Sequence, residues 1–212
     1  MNPLRKPFKY CCFYSTFALL IINFALFFLQ KFMFPKMNIV LGMSIWGLKN
    51  HYFWQPLTYM FCHSGWNHII FNMLALFCFG IAVEKAIGSW EFLLFYLVCG
   101  ILDGLISILL YWILGINTLL VGASGAIYAL LLLYAVLFPQ NKIYIWGIIP
   151  IKSPLLVGIY AIIELGSELF GSNDGIAHLA HLSGFVVAWL YIVIRMGINP
   201  IKVWKRAFSR NR

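Results

Sequence analysis

The sequence contains few charged residues and very few acids. Charged residues make up only 10% of its 212 residues, with six Asp and Glu in total, whereas 63% of the residues are hydrophobic. Soluble globular domains carry about 25% charged residues. The composition therefore excludes an ordinary soluble domain and predicts an integral membrane protein.

A cysteine pattern that could support a disulfide framework is also missing. The five cysteines are odd in number, show no CxxC spacing and mostly lie within apolar runs: Cys11, Cys12, Cys62, Cys78 and Cys99. Disulfide scaffolds and thiolate zinc sites need paired or closely spaced cysteines. The sequence therefore predicts neither of them.

Two catalytic motifs of other enzymes are absent as well. No HExxH sequence occurs, no carboxylate lies near His68, and His178 with His181 would supply only half of a metal site. The segment 122–126 (Gly-Ala-Ser-Gly-Ala) lacks the second glycine of the G-x-S-x-G elbow of soluble hydrolases, and no alternating strand pattern precedes it. We therefore expect no metal and no cofactor.

What the sequence has instead is a series of long apolar runs. A transmembrane helix needs about 20 apolar residues, and six runs approach that length: Cys11–Phe34, His68–Val83, Phe92–Leu114, Leu119–Phe138, Leu155–Phe170 and Ile176–Met196. No internal repeat and no low-complexity linker interrupts them. We predict an all-α polytopic membrane protein, a bundle of six transmembrane helices that forms one domain over residues 1–212.

The basic residues indicate how the helices are oriented. With both termini cytoplasmic, the cytoplasmic segments hold 12 of the 15 Lys and Arg residues, including basic tails at 1–10 and 197–212. Cytoplasmic segments of membrane proteins carry such an excess, so we predict this orientation. The net charge of +9 then fits contacts with membrane lipid rather than with nucleic acid. The first run imitates a signal peptide but is too long and lacks a cleavage site, so we expect it to be retained.

The first loop, residues 35–67, lies outside in this orientation and is rich in aromatic residues. Aromatic side chains are favoured where the bilayer meets water. We therefore predict that this loop lies in the membrane interface rather than in free water.

Ser124 lies in a segment of small residues at the head of the fourth apolar run. Membrane helices use small residues for close packing, which is one explanation of this serine. A second explanation is chemical, because His68 and Asn72 lie on an earlier run and both His178 and His181 on a later one. Ionisable side chains inside a membrane are expensive and mark functional sites.

These polar residues share one depth in the predicted topology. His68 opens the second run, and Ser124 and His181 each lie five residues into their own runs. All three helices run inwards, and five residues rise about 8 Å. His68 and Asn72 also share a helical face, since they are four residues apart. Small residues on the fourth and sixth helices would let Ser124 approach a histidine as nucleophile and base.

Several motifs together resemble the rhomboid family of intramembrane serine proteases. They are residues 63–72 (His-Ser-Gly-Trp-Asn-His-Ile-Ile-Phe-Asn), 122–125 (Gly-Ala-Ser-Gly) and 180–184 (Ala-His-Leu-Ser-Gly). Residues 54–56 (Trp-Gln-Pro) and 80–84 (Gly-Ile-Ala-Val-Glu) are also similar to that family. The resemblance covers residues 54–188 in the family's order.

The resemblance implies a catalytic dyad in which Ser124 is the nucleophile and His181 the base, with no acid as a third member. It implies that His68 and Asn72 donate hydrogen bonds to the oxyanion and that Tyr128 packs against the His181 ring. It also implies substrates that are single-pass transmembrane proteins, cut near the outer boundary of the membrane. One departure is Ala188, where the family often has a second glycine, although alanine still permits close approach.

Two other classes of function stay open at this point. A non-catalytic relative that binds membrane clients should lack the nucleophile or the base, and this chain has both Ser124 and His181. A transporter would use acids inside the bilayer, and Asp103, Glu164 and Glu168 lie in apolar runs. We interpret these acids as interhelical hydrogen-bond partners, with the two glutamates near enough to the outer surface to snorkel. We expect the protein in a bacterial inner membrane, with its site facing outwards.

Overall fold

The computed structural model describes the backbone of residues 5–145, 148–170 and 176–209, and the side chains of these except 145, 166–170 and 176–180. Eleven α-helices and one hairpin lie in this part of the chain. The helices are α1 Ser15–Phe28, α2 Met37–Leu41, α3 Ile45–Lys49, α4 Gln55–Thr58, α5 Trp66–Ala75, α6 Ile81–Ile87, α7 Ser89–Ile113, α8 Ser124–Leu137, α9 Ser153–Phe170, α10 Ile176–Ile194 and α11 Pro200–Ser209. The hairpin pairs β1 Lys142–Ile145 with β2 Ile149–Lys152.

Three continuous helical segments are long and apolar enough to cross a membrane. They are Ser15–Met33, which adds a π-helical turn to α1, Trp66–Ile87, which joins α5 and α6, and Ser89–Ile113. Among the residues that the structure describes, three shorter apolar helical stretches follow: Ser124–Leu137, Ser153–Leu165 and His181–Ile194. The protein is therefore a mostly helical integral membrane protein.

The helix α8 occupies the centre of the bundle. Ten of its 14 residues are buried, and it packs against both α7 and α10. The backbones of α8 and α10 approach each other closely, because a Cβ added to Gly184 would lie 2.5 Å from the carbonyl oxygen of Gly125. Glycine is required at position 184 because any side chain would push these two helices apart.

Glu84 fixes the start of α1. The first N–H groups of a helix have no acceptor within the helix. The Glu84 carboxylate accepts hydrogen bonds from the backbone N–H groups and the hydroxyls of both Ser15 and Thr16, and from the Ser89 hydroxyl. This buried acid therefore acts as the N-terminal cap of α1 and ties it to the end of α6.

Both the N-terminal segment and the end of α10 lie at the same end of the bundle. The Arg5 guanidinium donates to the carbonyl of Ile194, and the N–H of Ser89 donates to the carbonyl of Cys11. Nearby, Glu91 pairs with Arg195 at 2.8 Å. These contacts join the N-terminal segment, the start of α7 and the end of α10 at one side of the molecule.

The first loop is a folded unit rather than an extended chain. Gln55 is buried, accepts from the N–H of Ser44 and donates to the carbonyl of Val40. The Trp54 indole N–H donates to the same carbonyl, and the Thr58 hydroxyl donates to that of Leu41. Residues 54–56, which resemble a motif of the family, therefore form a hydrogen-bonded corner of this loop.

Three details differ from the sequence-based expectation. The hairpin between α8 and α9 was not predicted, so the fold is mostly helical rather than purely all-α. The tail at 197–212 contains the helix α11. The fourth helix begins at Ser124 rather than at Leu119, because Leu120 pairs with Met43 of the first loop and Gly122 has a positive φ of 120°.

Candidate active site

Ser124 is the first residue of α8 and is half-buried. The segment that leads to it is held by the first loop, because Met43 and Leu120 exchange backbone hydrogen bonds of 2.9 and 2.8 Å. The N–H of Gly122 donates to the carbonyl of Tyr59. The loop therefore fixes the position of the serine at the helix N-terminus, where backbone N–H groups lack intrahelical acceptors.

His181 lies on α10 beside the first turn of α8. Its ring stacks on Tyr128, with centroids 4.4 Å apart and an interplanar angle of 16°. Tyr128 is four residues after Ser124, so both lie on one face of α8. Gly184 is three residues after His181 and touches the backbone of Gly125. These contacts bring the helix positions of Ser124 and His181 next to each other.

His68, the third residue of α5, lies against the turn before Ser124. A Cβ added to Gly122 would lie 2.5 Å from Nε2 of His68, so only glycine leaves room for the imidazole there. The other ring nitrogen, Nδ1, is 3.0 Å from the Ser64 hydroxyl. His68 is thus oriented with Nε2 towards the start of α8.

Asn72 lies one turn after His68 on α5, as the spacing predicted. The residue is only 7% exposed, and its Nδ2 has no hydrogen-bond acceptor among the residues that the structure describes. A buried donor left without a partner costs about 1 to 3 kcal/mol. Such a donor is suited to a ligand or an intermediate that arrives later.

His63 lies next to His68, with ring centroids 5.1 Å apart. Burial, with a smaller contribution from repulsion by His68, lowers the pKa of His63 to about 3. His63 is therefore neutral at physiological pH and adds no positive charge beside His68.

Glu164 belongs to the same cluster, although sequence reasoning did not place it there. Its Oε1 lies 3.1 Å from Nδ1 of His181, and its side chain is 7% exposed. The Tyr128 hydroxyl donates a hydrogen bond to the same oxygen. The expectation that Glu164 snorkels to the surface is wrong, because the carboxylate is turned inwards to these two partners.

Asp103 on α7 joins two other segments by hydrogen bonds. It accepts from the Ser183 hydroxyl of α10 and, at 3.4 Å, from the Tyr59 hydroxyl of the first loop. The interpretation of Asp103 as an interhelical hydrogen-bond partner is confirmed. The side chains of Glu168 and His178 lie outside the described residues.

Comparisons with known proteins support the family resemblance that the motifs indicate. A family model described as Rhomboid domain matches residues 50–198. The chain is 29% identical to Rhomboid-like protein 11, chloroplastic, of Arabidopsis thaliana, over 88% of this chain and 68% of the relative. It is 30% identical to the Rhomboid protease AarA of Providencia stuartii, over 82% and 70%. Rhomboid-related protein 1 of Caenorhabditis elegans is 30% identical over 65% of this chain, a match that spans only 38% of that relative.

Proposed function

The chain belongs to the rhomboid family, and we propose that it is an intramembrane serine protease in which Ser124 is the nucleophile and His181 the general base. The observation that carries this proposal is the stacking of His181 on Tyr128, one turn from Ser124. A serine hydroxyl is a weak nucleophile until a neighbouring base accepts its proton. A histidine packed beside the first turn of α8 can supply that base.

The proposed reaction follows from these roles. The Ser124 hydroxyl oxygen attacks the scissile carbonyl while its proton passes to Nε2 of His181. His181 then returns the proton to the leaving amine, and the peptide bond breaks to leave an acyl-enzyme. Water, deprotonated by His181, attacks the ester carbonyl. The bond to the Ser124 oxygen then breaks, this oxygen takes the proton back from His181, and the second product leaves with a new carboxyl terminus.

We further propose that His68 and Asn72 donate hydrogen bonds to the oxyanion of the tetrahedral intermediate. The unpartnered Nδ2 of Asn72 supports this role, as does the approach of His68 Nε2 to Gly122. The backbone N–H of Ser124 at the start of α8 is a third candidate donor. Donors fixed in a water-poor site stabilise developing charge without having to reorganise.

The proposed membrane topology has six spanning segments with both termini in the cytoplasm. The contacts of Arg5 and Ser89 support it, because they join the N-terminal segment, the start of α7 and the end of α10 at one end. The 14 residues of α8 span about 21 Å, which is about 9 Å less than the hydrocarbon core. Ser124 would therefore lie below the outer surface.

The substrates that we propose are single-pass transmembrane proteins, cut near the outer boundary of the membrane. The relative of Providencia stuartii is named a protease, which supports the enzymatic assignment. The plant relative is named as chloroplastic, so relatives of this chain are not confined to bacterial membranes. We propose a bacterial inner membrane for this chain, with the site facing outwards.

A non-catalytic, client-binding relative is the alternative to a protease. The cluster around Ser124 argues for the enzyme, since a protein that only binds clients has no need for a serine beside a histidine. Client binding alone also does not explain why the buried Nδ2 of Asn72 has no hydrogen-bond acceptor among the described residues.

The proposal is tested with purified protein and a panel of fluorescently labelled transmembrane segments. We expect the wild type to cleave at least one segment, and Ser124→Ala and His181→Ala to cleave none. His178→Ala is the matched control one turn away on α10, and it should keep most of the activity. Cleavage by Ser124→Ala at the wild-type rate, or loss of wild-type cleavage with a chelator, would refute the serine mechanism.

A further inference from the structure

An apolar cavity lies beside the C-terminal half of α8, away from Ser124. Its volume is about 400 Å³, within the range of about 300 to 1,000 Å³ that ligand pockets occupy. The residues that line it are all apolar and come from α8, α9, α10 and α11, one from each being Leu132, Gly158, Trp189 and Trp204. Val186 and Leu190 of its wall are 57% and 51% exposed. The cavity therefore reaches the surface of the bundle, where a membrane lipid can enter it from the side.

The depth of this cavity suits an acyl chain. Gly158 lies five residues after Ser153, the first residue of α9, which is about 8 Å along the helix. One leaflet of the hydrocarbon core is about 15 Å thick, so a chain that starts near Ser153 is long enough to reach Gly158. The space there is open, because a Cβ added to Gly158 would meet nothing within 4 Å.

Basic side chains lie near the same end of α9. Lys152 immediately precedes α9, and its Nζ lies 5.1 Å from the centroid of the Phe208 ring on α11. Lys205 is exposed and lies three residues before Phe208, on the same face of α11. The sequence has no Asp or Glu at 132–163 or 185–212, which together hold eight Lys and Arg residues. A negatively charged lipid headgroup is therefore favoured here.

The helix α11 is held in place by contacts with the bundle. The Trp204 indole N–H donates to the carbonyl of Ala135 at 2.9 Å, and the Gln140 side chain donates to the carbonyl of Ala207. Ile201 and Phe208 stay exposed. A helix with basic residues on one face and exposed apolar residues on another is typical of helices that lie in the membrane interface.

We propose that the cavity and the two lysines form a binding site for one anionic phospholipid. One acyl chain fills the cavity beside Gly158, and the phosphate lies near the amines of Lys152 and Lys205. The apolar wall accepts the chain of any phospholipid, whereas the lysines select a headgroup with a net negative charge. The site is separate from Ser124, so the inference does not depend on the proposed protease activity.

The test is native mass spectrometry of the full chain in detergent, titrated with phosphatidylglycerol or with phosphatidylcholine of the same acyl chains. We expect the wild type to bind phosphatidylglycerol about 10-fold more tightly, and the double variant Lys152→Gln/Lys205→Gln to lose about 10- to 30-fold in that affinity alone. Lys85→Gln is the matched control, because Lys85 also lies over an aromatic ring, Tyr14, at 5.9 Å. This variant should keep the wild-type affinity.

A second pair of variants tests the cavity itself. Gly158→Leu should weaken the binding of both lipids about 10-fold, because its side chain occupies the space of the acyl chain. Gly158→Ala adds only a Cβ and should bind as the wild type does. Thermal unfolding without added lipid establishes that each variant is folded.

Three outcomes would overturn the inference. The first is equal affinity of the wild type for the two lipids, and the second is unchanged phosphatidylglycerol binding in the double lysine variant or in Gly158→Leu. The third is a lipid-free dimer that Gly158→Leu disrupts, since a second copy of the chain would then cover the cavity. The lysine variants change only side chains at the surface, so their result decides the inference even if Gly158→Leu does not fold.

Discussion

Asn72 combines burial with an amide nitrogen that has no acceptor among the described residues. A side chain kept for folding alone would be expected to satisfy its buried donor. Its neighbour His68 has one ring nitrogen at Ser64 and the other near Gly122. At the scale of single residues, these two side chains are therefore the donors that we propose for the oxyanion.

Replacing either donor by alanine tests this directly. Because the oxyanion forms only in the transition state, Asn72→Ala and His68→Ala should each lower kcat about 100- to 1000-fold with little change in KM. Kinetics and thermal unfolding are measured in the same detergent. If unfolding shifts strongly while the folded fraction keeps its kcat, the two residues are structural.

At the scale of helices, the site depends on the close packing of α8 against α10. A Cβ at position 184 would meet the Gly125 carbonyl, and separating the helices would also draw His181 away from Ser124. Catalysis depends on such distances, because a displacement of about 1 Å can cost about 100-fold in rate.

We therefore expect Gly184→Ala to lower both stability and kcat, with about 1 to 3 kcal/mol lost from overpacking. Gly158 on α9 is the matched control, because a Cβ there meets nothing within 4 Å. Gly158→Ala should keep kcat and be neutral or slightly stabilising, since alanine favours helices. Thermal unfolding and cleavage rates check both variants, and equal behaviour of the two would contradict the packing argument.

The sequence predicted the long helices well, because apolar runs mark where a chain can cross a membrane. The run Phe92–Leu114, for instance, corresponds to α7 at Ser89–Ile113. Hydropathy cannot separate helix from extended chain, so the start of α8 was misplaced by five residues. Gly122, with its tolerance of positive φ, was the signal that the chain turns before Ser124.

The position of Glu164 could not be predicted from the sequence. An acid in an apolar run can face lipid, water or a neighbouring helix, and the rotation of α9 decides which. That rotation depends on tertiary packing against Tyr128 and His181. The fold of the first loop could not be predicted either, because it depends on the pairing of Met43 with Leu120, and these residues are far apart in the chain.

At the scale of the whole molecule, the two ends of the bundle differ in character. The end that holds the first loop also holds Ser124, His68 and the turn before α8. The opposite end carries the contacts of Arg5 with Ile194 and of Glu91 with Arg195. The proposed orientation, in which this second end faces the cytoplasm, rests on the excess of basic residues in the segments assigned to it.

This orientation predicts which surface positions a membrane-impermeant maleimide can reach in intact cells. The exposed Lys49, Lys142 and Lys205 are each replaced by cysteine, in a background whose native cysteines are changed to serine or alanine. Lys49→Cys should be labelled from outside, and Lys142→Cys and Lys205→Cys only after the cells are permeabilised. The reverse pattern would invert the topology and move the site to the cytoplasmic side.

Covalent labelling with a fluorophosphonate, followed by mass spectrometry of the digested protein, tests the central claim most directly. This probe reacts with a serine hydroxyl that a neighbouring base has activated. We predict one adduct, on the peptide that carries Ser124, and none in Ser124→Ala. An adduct on another residue, or equal labelling of the wild type and Ser124→Ala, would contradict the assignment of Ser124 as the nucleophile.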